Sequence, residues 1–196
     1  MPEFLMGVSK MELNLNLDLD EILPFWREES SLLERYVDHF KEIPAHQRHE
    51  EKYYWLGMMF LTGKDPENRP VIQSEKVALQ YLYQASDIGH QESIRFLEKI
   101  DTVVRLVITL NELESEVELY ESEITLWNSN EHYSDNKSYY LEYYQDLLIP
   151  LSHQISDLKG DIDYSKEQLQ AEFLLTPSEV SGLINNYIKG VQNANE

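Results

Sequence analysis

Apolar residues recur through the middle of this chain at alternating spacings of three and four: Val103, Leu106, Leu110, Leu113, Val117, Tyr120, Ile124 and Trp127. That is a heptad seam, a single stripe on an α-helix and an unusable pattern for a strand. A polar stretch, NSNEHYSDNKS at residues 128–138, interrupts it. The seam then resumes at Leu141, Tyr144, Leu148, Leu151, Ile155, Leu158, Ile162 and Leu169, with Ser165 the one polar residue in register. Two heptad helices joined by a short polar loop are expected to fold back on each other, residues 99–127 against 139–173, as an antiparallel coiled-coil hairpin. A parallel coil between two copies is the rival arrangement. Pro150 lies off the seam and is expected to kink the second arm without ending it.

Glycine and proline punctuate the remainder into shorter helices. Leu32, Leu33, Tyr36, Val37 and Phe40 form one apolar face within residues 30–43, closed by Pro44. A second helix is expected over 46–61, stopping at Gly63, and a third from Ser74 to Gly89 with Glu75 in its first turn. A fourth starts near Gln91 and meets no Gly or Pro before Trp127, so it should run straight into the first heptad arm. Thr176, Pro177 and Glu179 supply an N-cap, a first-turn proline and a capping-box acid for a last helix. Ahead of these, MPEFLMGVSK has no periodicity. Leu13, Leu15, Leu17 and Leu19 alternate with polar residues, the period of an extended segment. Such a segment either packs its leucines on the helices or adds to a partner's sheet edge, and a lone strand without a mate favours the first. The expected fold is all-α: a helical-repeat hairpin with flanking capping helices, then an antiparallel coiled-coil hairpin and a C-terminal helix. The expected segments are a leader and extended tail at 1–20, a helical domain at 21–100, the hairpin at 101–175 and the last helix at 176–196.

Leu56, Gly57, Phe60 and Gly63, followed by Ala78, Tyr81, Leu82, Ala85, Gly89 and His90, carry a recognisable spacing. The stretch from about residue 50 to 97 resembles a Sel-one-like repeat, the tetratricopeptide-related helical hairpin of adaptor proteins. Ser86 and Ser93 stand where that family usually has alanine, and the loop KDPENRPVIQ is longer and lacks its second glycine. Elementary packing agrees with the pattern: Gly57, Ala78 and Ala85 are small enough for close helix approach, and Phe60 and Tyr81 fill the space between. One repeat cannot bury both its faces, so the helix at 30–43 and the start of the long helix should cap it. The resemblance implies protein binding and no catalysis.

Sixteen Lys and Arg against thirty-six Asp and Glu leave a formal charge of -20, which repels nucleic acid and anionic lipid. Residues 106–196 hold four basic and seventeen acidic residues, so the C-terminal half carries most of the excess. Six Glu crowd into Glu112 to Glu123, and no Lys or Arg occurs from Leu106 to Asn136. Cysteine is absent, which suits a reducing, cytoplasmic setting and removes thiolate chemistry. His46, His49 and Glu50 are out of order for the His-Glu-x-x-His zinc motif and read better as solvated helix-start residues. The acids at Asp18, Asp20 and Glu21 and at Asp157, Asp161 and Asp163 lack the glycine turn and spacing of a calcium loop. No Gly-rich phosphate loop, nucleophile elbow or dinucleotide fingerprint occurs. No catalytic, cofactor-binding or metal-ligating residue is therefore expected.

The chain is thus expected to work as an adaptor or complex subunit that binds another protein, one with a basic surface if the acidic arm is used. Neither nucleic acid nor membrane is an expected partner, and a homodimer through the coiled coil is the alternative pairing. Tyr and Trp anchor many interfaces, and Tyr54, Trp55, Tyr83, Tyr140 and Tyr143 are the aromatic candidates. Glu114, Glu116, Glu121 and Glu123 flank the first seam, where the facing arm offers only Lys159 and Lys166 at flanking positions. The competing expectation is an acidic inhibitor or immunity-type protein that blocks a basic nucleic-acid-binding or toxin site.

Overall fold

Capping residues set several of the element boundaries. The computed structural model describes residues 19–129 and 136–193. Within them lie α1 (Leu19–Arg35), α2 (Val37–Glu42), α3 (Arg48–Thr62), α4 (Glu75–Asp87), α5 (Gln91–Ser129), α6 (Lys137–Phe173) and α7 (Pro177–Asn193). No strand occurs among the described residues; a single antiparallel bridge between Lys64 and Pro70 pinches the α3–α4 loop. The alternating leucines Leu13, Leu15 and Leu17 lie outside the described residues.

The chain forms two compact units. One joins the segment up to Ile100 to the segment from Leu169 onward, and the other is Asp101–Gln168. In the first unit, α3 and α4 meet along Leu56, Phe60, Ala78, Leu82 and Ala85, all with no exposed surface. Gly57 is what allows the approach, because a Cβ there would stand 2.7 Å from Leu82 Cγ and 3.2 Å from the Ala78 carbonyl oxygen. Gly63, in the left-handed region at φ 66°, ends α3 and donates its N–H to the Met59 carbonyl. Ser74 opens α4 by accepting from the Val77 N–H. After Gly89, the buried His90 takes the corresponding role for α5: its Nδ1 accepts the Ser93 N–H at 3.1 Å. The Gly-His pair is thus a helix stop followed directly by a helix start.

Both faces of this helix pair are covered. Leu32, Tyr36 and Phe40 are buried on one side, where the Trp55 ring meets Tyr36 at 6.1 Å and Phe40 at 5.9 Å. On the α5 side Phe96, Leu97 and Ile100 are buried, and Phe96 meets Phe173 edge-on at 4.7 Å. The last helix also packs here. Val180, Leu183, Ile184 and Tyr187, spaced as one helical stripe, are buried, and Tyr187 approaches Tyr83 of α4 at 6.4 Å. Its capping box is complete: Glu179 accepts the Thr176 N–H at 2.6 Å, and Thr176 Oγ1 accepts the Glu179 N–H at 3.3 Å.

The first helices differ from the sequence expectation. A helix beginning near residue 30 becomes one beginning at Leu19, and the expected single helix over 30–43 breaks at Tyr36 into α1 and α2. Pro24 sits within α1 and removes one backbone donor there. Tertiary contacts hold the turn nonetheless: Phe25 packs edge-on against Phe60 at 5.6 Å, and Glu29 accepts the Tyr81 hydroxyl at 2.5 Å.

In the second unit the two arms pair as an antiparallel hairpin. Glu114 meets Lys159 at 2.8 Å, Tyr120 meets Tyr144 at 5.9 Å and Trp127 stacks on Tyr140 at 4.3 Å, so partners descend α6 as they ascend α5. α6 passes through Pro150 without ending. The seam residues are half-buried or buried, as one facing helix on its own can achieve.

Candidate protein-interaction surfaces

Trp55, Met58, Met59 and Thr62 follow one another at helical spacing on α3 and line a groove of about 660 Å³ in the first unit. The α3–α4 loop, Arg95 and the α6–α7 junction form its rim. Tyr54 lines it too, but its ring is stacked on His90 at 4.4 Å, and burial, followed by the adjacent Glu92 carboxylate, raises its pKa above the ordinary tyrosine value. Trp55 also contacts His39 at 4.1 Å. Both proposed aromatic anchors are therefore half-buried, each with an internal packing role and part of its ring at the groove. Tyr83 is half-buried near Tyr187, away from this groove.

The groove rim is fixed by two ionic clusters. Asp65 is 4% exposed. It receives Arg35 at 3.1 Å, Arg69 Nε at 2.8 Å and the backbone N–H groups of Glu67 and Arg69 at 3.0 and 2.8 Å. Burial opposes its charge, but the Arg69 side chain and N–H, the nearby Tyr36 hydroxyl and the Glu67 N–H outweigh burial and hold the carboxyl well below the usual range. Arg69 in turn donates to Tyr36 Oη at 2.9 Å. In the second cluster Glu172 takes Lys99 at 2.5 Å and Arg95 at 2.7 Å; Lys99 leads in lowering its pKa. Leu174, which also lines the groove, stands 87% exposed with φ 56°. It ends α6 in the left-handed conformation, with the next N–H returning to the Gln170 carbonyl at 3.1 Å. A methionine-bearing floor and an exposed leucine suit an apolar peptide side chain better than an ion.

The second unit presents different chemistry. Residues 101–168 hold fifteen Asp and Glu against four Lys and Arg. The four flanking glutamates are not equivalent. Glu114 is bridged to Lys159, and Glu116 accepts the Tyr120 hydroxyl at 2.6 Å, which, with burial second, raises that phenol's pKa. Glu121 is exposed; Glu123 is half-buried, and its charge adds to burial in raising the Tyr144 pKa. Tyr140 is half-buried against Trp127, whereas Tyr143 is 50% exposed and Tyr139, one turn earlier, 67%. Leu119 and Leu126 are 56% and 52% exposed on the face of α5 away from the seam. Their off-seam spacing of one heptad is the signal that sequence reasoning passed over.

His46 is exposed, and the His49 ring meets Tyr53 edge-on at 4.9 Å. Among the described residues no group of three or more His, Asp or Glu is placed to hold a metal ion, and no helix is long and apolar enough to cross a membrane. The comparisons add no relative. No protein-family model, curated protein or solved structure matches this chain.

Proposed function

We propose that this chain is a non-enzymatic adaptor or complex subunit that binds other proteins through the acidic hairpin and through the groove of the repeat-like unit. The observation that carries the reading is on the hairpin: large apolar side chains, Leu119, Leu126, Tyr139 and Tyr143, stay half or more exposed amid a strong acidic excess. Apolar anchors inside a single-sign field are what an interface for a basic partner requires, since the field steers encounter and the anchors hold the complex. The resemblance of residues 50–97 to Sel-one-like repeats supports the same reading, and the cysteine-free sequence suits a cytoplasmic setting.

The acidic imbalance also favours a second reading, an inhibitor that occupies the basic site of a nucleic-acid-binding protein or toxin. Affinity capture from the native host, read by mass spectrometry and repeated with Glu114, Glu116, Glu121 and Glu123 replaced by Gln, separates the two. A captured nuclease or nucleic-acid-binding protein whose activity is blocked supports the inhibitor. A captured helical or peptide segment with no such activity supports the adaptor. Capture of nothing by the unaltered chain would overturn both.

A further inference from the structure

We propose that the outer face of α5 in the hairpin unit docks a basic amphipathic helix, seated on Leu119 and Leu126; this rests on the protein-binding reading above. The two leucines lie one heptad apart, so a facing helix with apolar residues at the same repeat meets both. Ser115 and Ser122 sit four and three residues from Leu119 on the same face, small enough for close approach. Their hydroxyls are turned inward: Ser115 donates to the Asn111 carbonyl at 2.8 Å and Ser122 to the Leu119 carbonyl at 2.7 Å. The face is accordingly drier than its sequence suggests, and covering these serines strands no donor.

Charge complementarity chooses the occupant. Glu116 and Glu123 adjoin Leu119 at three and four residues, and Glu112 lies one heptad before it. No Lys or Arg from Leu106 to Asn136 offsets them. A second copy of this chain would set the same acids against themselves, and nucleic acid or anionic lipid is repelled. A helix carrying Lys or Arg beside its apolar stripe matches both features.

The test uses the full chain and three fluorescent synthetic helices of about three heptads, with one leucine stripe and Lys, Gln or Glu flanks. A fourth peptide has the Lys composition with prolines that prevent helix formation. Anisotropy should show the Lys helix binding about tenfold or more tighter than the Gln helix, with affinity falling as salt rises. Leu119→Ser with Leu126→Ser should weaken it by about tenfold or more, while the helical circular dichroism signal is retained because neither side chain belongs to the seam. Equal binding by the leucine variant, or by the proline-broken peptide, would overturn the proposal in favour of diffuse charge attraction. A native partner that stays bound to the leucine variant would overturn this surface and leave the adaptor reading standing. Binding of the Lys helix with no host protein captured would do the reverse.

Discussion

Gly57 and Asp65 carry the sharpest residue-scale consequences. A Cβ at Gly57 meets Leu82 and the Ala78 carbonyl inside contact distance, and the backbone oxygen cannot move away as a side chain could. Gly57→Ala is therefore expected to destabilise by about 1 to 3 kcal/mol through overpacking, more than offsetting alanine's better helix propensity. The midpoint of urea unfolding measures this, and an unchanged midpoint would mean that α3 and α4 do not approach as described. Asp65 acts through charge. Its folded pKa lies below the value of about 3.9 expected in an unfolded chain. Its contribution is therefore complete above that value and is lost as pH falls toward the depressed one. Asp65→Asn should melt lower than the unaltered chain at neutral pH, and the gap should close as the solution is acidified below about pH 4. Thermal melts across that window decide it; a gap independent of pH would assign the loss to geometry instead of charge.

At the scale of elements, the antiparallel hairpin is open to a direct test. The descending pairs Glu114 with Lys159, Tyr120 with Tyr144 and Trp127 with Tyr140 place Leu113 near Ile155. Cysteines at these two positions should form an intramolecular cross-link at low protein concentration, resolved on a denaturing gel. A product made only between chains would indicate a parallel or swapped coil. The heptad seam made this element legible, because one stripe repeated across two arms with a polar loop between admits few solutions. The start of α1 was not legible. Pro24 is a breaker in sequence terms, and the contacts that override it, Phe25 to Phe60 and Glu29 to Tyr81, come from residues 35 and 52 positions away. α7 is an intermediate case: Thr176, Pro177 and Glu179 announced its start, while nothing local identified α4 as the neighbour of its apolar face.

For the molecule as a whole, the formal charge of -20 is the property with the widest reach. Self-repulsion opposes the folded chain and is screened over about 10 Å at 0.1 M salt. Melting temperature should accordingly rise from low to moderate salt. Replacing Glu112, Glu118, Glu121 and Glu123 with Gln should shrink that rise, a comparison that differential scanning fluorimetry can make; an equal rise would show that the acidic run adds no repulsive strain. What the sequence determined by itself was whatever depends on near neighbours: helical class, the two heptad arms, the stops at Gly63 and Gly89, the capping box and the sign of the surface. What only the tertiary structure decided was whatever depends on distant partners. Arg35 and Arg69 converge on Asp65, Trp55 is drawn into packing, Glu114 and Glu116 are engaged internally, and Leu119 and Leu126 are left uncovered. The division has a physical cause. Periodicity and caps are written within a turn or two of the chain, whereas burial and ion pairing depend on which surfaces meet after it folds.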